Sequence, residues 1–311
     1  MDDGVVQVGP LGTLVAVVLF GGLVVVAAGL DGVLAARVGR QPLRSGAARP
    51  LWEAARLFRQ RRRSLVAADS LLWRIGVAGL LVVALLKVAV VPLGSWTVAD
   101  LSVGVVWFNA MDVMVWALVW LAGWGANSAF SLVGGYRFLA QAVSYELPLM
   151  FALTAPVVAA GSLRVGDIVA AQDGLWFVVW MPVAFLVFCA AVVAFSAWGP
   201  FRPAVSPDIA GGVLAELSGV DRLLLQAGRY ALLTAGAGFA VALFLGGGSG
   251  PLAPPWVWTL VKTLAVLFLF IGAQRVLPMV RPDRLAEAAW VVVLPAVLAQ
   301  VFVVSLVVVG R

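Results

Sequence analysis

The stretch at residues 121–149, LAGWGANSAFSLVGGYRFLAQAVSYELPL, decides how this chain is read. Two apolar runs flank a loop of small residues, and the second run carries Arg137, Gln141 and Glu146 before continuing to Ala160. A carboxylate in hydrocarbon costs several kcal/mol, roughly 3 on insertion scales, unless it pairs, takes a proton or faces water. Glu146 is therefore a candidate functional residue. The plainer alternative is a helix-end carboxylate that snorkels to the membrane interface.

Outward from that stretch, composition sets the class. The chain has 311 residues, 63% hydrophobic and 12% charged, with a mean hydropathy of +1.06, where soluble domains carry about 25% charged residues. An all-α polytopic membrane protein is expected, built as a single membrane domain over residues 1–311. Apolar windows long enough to span a bilayer fall near 11–30, 71–91, 103–123, 139–160, 175–197, 223–245, 256–277 and 288–309, which makes eight helices. The first is not read as a signal peptide, because Asp2 and Asp3 precede it in place of a basic region and no clear cleavage site follows. The lone Cys189 and the absence of histidine exclude an internal disulfide, a histidine-ligated haem and a Cys/His zinc site.

Basic residues set the expected orientation. Arg37, Arg40, Arg44, Arg49, Arg56, Arg59, Arg61, Arg62 and Arg63 lie between the first two windows. Arg137, Arg202, Arg222, Arg275, Arg281 and Arg284 lie in later loops of the same side, against Arg164 and Arg311 opposite. By the positive-inside rule both termini lie outside. The net charge of +6 is then a topology signal, and no nucleic-acid surface is expected. Within the basic segment, Leu51, Ala54, Ala55 and Phe58 recur at helical spacing, with Glu53 and Arg56 a turn apart. An amphipathic helix near 50–60 along the inner surface is expected, and simple anchoring to anionic lipid would explain it.

Several further polar residues fall inside apolar windows. Lys87 either snorkels to the outer face or pairs with Asp112, which follows Asn109 by one turn. Gln226 and Arg229 share a face near the inner end of the sixth window, and Arg229 could pair Glu216 or Glu146 or snorkel inward. Lys262 is a charge partner or relay member, or a structural pair. The run Gly246-Gly247-Gly248-Ser249-Gly250 lacks the preceding strand and the lysine of a phosphate loop and is expected to be a flexible turn.

The pattern Gly123-Trp124-x-x-Asn127-Ser128, then Gly134-x-x-Arg137-x-x-Ala140-Gln141-x-x-Ser144-Tyr145-Glu146-x-Pro148-Leu149, resembles the H-type subunit of respiratory complex I, the membrane subunit beside the quinone pocket. That family usually has Ser and Lys where this chain has Ala126 and Ala129. Arg49-Pro50-Leu51-Trp52-Glu53-Ala54-Ala55-Arg56-Leu57 is similar to its amphipathic helix. Trp258-x-x-x-Lys262, Phe268-Leu269-Phe270-Ile271, Arg275, Pro278, Arg281, Asp283, Leu285 and Trp290 to Pro295 are similar to its last two spans. Matching blocks run from about residue 31 to 297.

The resemblance implies that Glu53 and Arg56 border a quinone entrance. It also implies an acidic funnel in the loop from Trp198 to Gly219, where the family carries several carboxylates. Pro200-Phe201, Gly212 and Glu216-x-Ser218-Gly219 stay in register, and Asp208 stands in for a glutamate. Arg202, Ala204 and Ser206 replace acidic positions, and Phe195 to Trp198 lack the usual Glu and Arg. With Arg202 inserted, Asp208 and Glu216 should be harder to protonate. Coupling to protons is then altered or absent, unless Glu146, Asp208 and Glu216 suffice with water.

The function so implied is that of a membrane subunit of a proton-translocating NADH-quinone oxidoreductase. Glu53, Arg56, Arg202, Asp208 and Glu216 are the candidate quinone-chamber residues. Glu146, Asp112, Arg229, Lys87 and Lys262 are the candidates for buried charge and a proton path. No metal or covalently bound cofactor is expected. Quinone would be the substrate, with flavin and iron–sulfur clusters in partner subunits. Implied partners are the peripheral-arm subunits, antiporter-like and small membrane subunits and the lipid of a bacterial plasma membrane. Two alternatives stay open: the membrane anchor of an energy-converting hydrogenase or formate hydrogenlyase-like complex, favoured by the short segment Arg37 to Pro42, and a non-pumping scaffold. No internal repeat suggests a secondary transporter.

Overall fold

The computed structural model describes residues 5–310, so Asp2, Asp3 and Arg311 lie outside the described residues. The elements run β1 (Val6–Gln7), α1 (Pro10–Val38), α2 (Leu43–Arg59), α3 (Ser70–Val88), β2 (Trp96–Thr97), α4 (Gly104–Gly125) and α5 (Ala129–Ala160). They continue with α6 (Val165–Ala170), α7 (Phe177–Trp180), α8 (Pro182–Phe195), α9 (Gly219–Phe244), α10 (Pro255–Val276), α11 (Pro282–Ala288) and α12 (Leu294–Val309). The two-residue strands pair in parallel, Val6 beside Trp96. All else that is regular is helix, as a bilayer demands of backbone that cannot hydrogen-bond to water.

Seven helical stretches among the described residues are long and apolar enough to cross a membrane. α9 is the axis. Every residue from 231 to 244 is buried, which is the fate of a helix apolar on all sides. α3, α8 and α10 pack around it, α4 packs on α3, and α5 packs on α4 and α8. α1 and α12 lie at the periphery with most of their side chains outward. α2 has one apolar face and little overall hydropathy, and it packs on α1 and α9. Where α1 meets α2, a Cβ on Gly32 would stand 2.1 Å from the carbonyl oxygen of Gly46, so only paired glycines permit this crossing.

Three expectations change. The fifth window is not one helix: it divides at Met181 into α7 and the 14-residue α8. Pro182 lacks an amide N–H and disfavours helical geometry in the residue before it, and Met181 adopts φ −123°, ψ 48°. α5 begins at Ala129, ten residues ahead of its apolar window, so Arg137 is a helical residue and not a loop residue. At 32 residues α5 is roughly 48 Å long and projects beyond the roughly 30 Å of hydrocarbon. The last window is a helix from Pro282 that passes through a wide π-turn at Ala289–Val293. Pro295 has no N–H to return to the preceding turn, and a π-turn absorbs the mismatch.

Candidate functional site

Among the described residues, three assemblies gather most of the candidate polar side chains. The first lies inside the bundle, where Phe108, Asp112 and Trp116 recur every four residues on one face of α4 and Asn109 stands one turn before Asp112. Lys87 of α3 donates to Asp112 Oδ1 at 3.0 Å, with both side chains fully buried. Its ammonium lies 4.3 Å from the ring centre of Phe108 and 3.8 Å from that of Phe195, so aromatic faces supply part of its solvation. Asn109 donates to Glu146 Oε1 at 3.1 Å, and Trp116 donates to the hydroxyl of Tyr145 at 3.1 Å. Tyr145 and Glu146 both lie within electrostatic reach of Asp112. Lys87 therefore does not snorkel. Asp112 Oδ2 and Glu146 Oε2 are buried with no hydrogen-bond partner.

The second assembly is the loop between α8 and α9, folded into three short 3-10 turns. Its carboxylates are each clamped from another segment. Arg137 of α5 donates to Asp208 at 2.7 Å. Glu216 accepts from Arg63 at 2.7 Å and from Ser128 at 3.0 Å. Ser218 accepts from the backbone N–H of Arg63 at 2.6 Å and donates to the carbonyl of Arg61 at 3.2 Å, stitching the chain after α2 onto the loop. The hydroxyl of Ser206 and the Arg137 guanidinium hold the Asp208 carboxyl below the usual carboxylate range. Arg202 carries a buried Nε with no partner and touches neither carboxylate.

The third is a cavity of about 470 Å³ between α1, α2 and α9. Its lining mixes the apolar Val24, Val25, Ala28, Leu51 and Leu223 with the polar Asp31, Arg49, Glu53, Trp198, Arg222, Gln226, Arg229 and Tyr230. Asp31 accepts from the Tyr230 hydroxyl at 3.0 Å and pairs with Arg275 of α10. Glu53 accepts from Nε and Nη2 of Arg56, at 2.9 and 2.6 Å. That hydrogen-bonded pairing lowers the Glu53 carboxyl, and the charges of Arg222 and Arg49 add to the effect. Arg229 reaches neither Glu216 nor Glu146. Its guanidinium donates to the carbonyls of Ser196, at 3.3 Å, and Ala197, at 2.5 Å, and rests 5.0 Å from the ring centre of Trp198.

The sequence pattern of the NADH dehydrogenase family matches residues 10–305. The chain belongs to that family. It is 38% identical over 269 residues to the second H-type subunit of NADH-quinone oxidoreductase from Geobacter sulfurreducens, covering 83% of this chain and 82% of the relative. The first H-type subunit of the same oxidoreductase from Geobacter metallireducens is 37% identical with the same coverage. The corresponding protein of Bacillus cytotoxicus is 35% identical over 230 residues, covering 72% of this chain and 69% of the relative.

In this member of the NADH dehydrogenase family, the five residues expected at a quinone chamber do not assemble as one group. Glu53 lines the cavity with Arg56 as its ion partner, whereas Asp208 and Glu216 are held by Arg137 and Arg63 in the loop. Of the five interior candidates, Lys87, Asp112 and Glu146 do come together. Arg229 joins the cavity instead. Lys262 donates to the carbonyls of Leu245, Gly247 and Ser249 at 2.7, 3.1 and 2.7 Å, with its ammonium 4.1 Å from the ring centre of Trp176. The glycine-rich run expected as a flexible turn is thus pinned. Sequence reasoning missed Asp31, Trp198, Arg222 and Tyr230 as cavity residues. An aspartate two turns from the end of an apolar helix is a signal that could have flagged Asp31.

Proposed function

We propose that the chain is the membrane subunit of a proton-translocating NADH-quinone oxidoreductase, and that the cavity between α1, α2 and α9 is its quinone chamber. The cavity carries the reading. Its lining offers apolar side chains for an isoprenoid tail together with guanidinium, indole and phenol groups for a headgroup, the usual composition of a small-molecule site. Electrons would reach the quinone from flavin and iron–sulfur clusters in peripheral-arm partners, because no group in this chain is suited to carry them. Antiporter-like and small membrane subunits would sit beside it. The arginine-rich end would face the cytoplasm of a bacterium, leaving both termini outside.

Within the bundle, Lys87, Asp112 and Glu146 would form the proton path of this subunit. A carboxylate oxygen with no partner is a group able to receive a proton and pass it on. The clamped Asp208 and Glu216 would hold the loop in shape and take no part in relay. A hydrogenase anchor is the weaker reading, since the relatives carry the name of a quinone oxidoreductase.

The test fills the chamber without touching an ion pair. In the isolated complex, Ala28→Trp should lower NADH-driven reduction of a short-chain quinone at least about tenfold. Reduction of a hydrophilic acceptor by the peripheral arm should continue unchanged. Full quinone activity in that variant would remove the cavity from the mechanism.

A further inference from the structure

We infer that the polar lining of this cavity discriminates between redox states of its ligand, holding an oxidised quinone in preference to the quinol. The inference rests on the quinone reading above. It follows from an inventory of donors and acceptors around one space.

Donors dominate the wall. Arg229 is fixed on one side by the carbonyls of Ser196 and Ala197 and on another by the indole face of Trp198, so its guanidinium is a preorganised donor and not a swinging one. Trp198 and Arg222 line the same wall; the indole N–H of the one and the Nε–H of the other have no acceptor in the protein, and each is enclosed so that a ligand meets it only after a small side-chain shift. The wall's carboxylates already accept charged or phenolic donors, Asp31 from Tyr230 and Arg275 and Glu53 from Arg56, so each offers a ligand hydroxyl only its remaining lone pairs. A buried donor left without an acceptor is a standing cost that an incoming acceptor relieves.

The two redox forms answer that inventory differently. A quinone headgroup carries carbonyl oxygens that only accept, and each can satisfy a guanidinium or indole N–H. A quinol brings two hydroxyl protons that each need an acceptor, in a wall whose carboxylates are already engaged. Gln226 is the lining amide with a carbonyl to offer. A polar site rejects a ligand whose groups leave one partner unpaired far more strongly than an apolar site does. The oxidised form should therefore bind about tenfold more tightly, the size of one net hydrogen bond to a charged group. Such a site would admit quinone from the membrane and let quinol go.

The experiment uses the intact complex carrying the full chain, stripped of quinone and held in lipid nanodiscs without oxygen. Equilibrium binding of a short-chain benzoquinone is compared with that of its reduced form. The expected result is the tenfold preference for the oxidised form, falling toward one in Arg229→Gln and in Trp198→Phe through loss of quinone affinity, and rising in Gln226→Leu through loss of quinol affinity. Thermal midpoints of the variants establish that each is folded, and Arg229→Lys keeps a cation if the glutamine variant is not. Equal affinities in the wild-type complex would overturn the redox inference while leaving the quinone reading in place. Binding of neither form would overturn both.

Discussion

The loop between α8 and α9 and the interior cluster of α3, α4 and α5 use the same chemical groups in opposite ways. In the loop, each carboxylate has its own arginine from a distant segment, Arg137 for Asp208 and Arg63 for Glu216. In the interior, Asp112 alone pairs with the one ammonium, Glu146 accepts from the Asn109 amide, and one oxygen of each carboxylate has no partner. Charge beside water is matched one to one at little cost, whereas each buried ion costs several kcal/mol and is kept only where geometry compensates it. The difference separates groups that hold the protein together from groups left free to do something.

That contrast is open to direct attack, starting where the effect is greatest. Lys87→Met would strand Asp112 and Glu146 with no cation, and thermal unfolding should show a loss of about 3–5 kcal/mol. The double variant Lys87→Met with Asp112→Leu should recover much of it; failure to recover would mean that Lys87 is held by something other than its carboxylate. Glu216→Ala removes two hydrogen bonds from a part-buried oxygen pair and should cost about 1 kcal/mol, most of it shared with Arg63→Ala in a double-mutant cycle. The smallest effect belongs to Asp208→Asn, within about 0.5 kcal/mol at neutral pH. Its signature is in the pH profile. Because the folded carboxyl is lowered, the wild type holds this contribution above the ordinary aspartate pKa and loses it as pH falls through the lowered value, while Asp208→Asn shows no such decline. A clamp that persisted at low pH would break the distinction between loop and interior.

Much of the fold was legible, because hydrocarbon thickness translates directly into runs of apolar residues. The errors have physical causes. Tyr136 and Arg137 dilute the hydropathy at the start of α5, yet the helix continues there because its first turns project past the bilayer. The break at Met181 was encoded in Pro182, but the apolar residues on both sides of it give a window no interruption. Pairings were far less legible than spans. Lys87 and Asp112 stand 25 residues apart and could be guessed, while Asp31 meets Tyr230 across 199 residues. Composition names the charges in a membrane protein; only the packing of α1 against α9 says which of them share a space.

The pinned turn after α9 carries a consequence of its own. Three backbone carbonyls converging on a cation at 2.7 to 3.1 Å is the chemistry from which exchangeable ion sites are made. Here the occupant is covalently attached through Lys262. A tethered ion has no dissociation constant, is never diluted away and faces no competitor in the surrounding medium. The hold on that turn is thereby screened far less by external salt, because Lys262 is buried, whereas the more exposed arginine clamps at the opposite end weaken as ionic strength rises. The two ends of the bundle answer to different environments, one held by a charge built into its own sequence and the other by ion pairs that respond to the solution that bathes them.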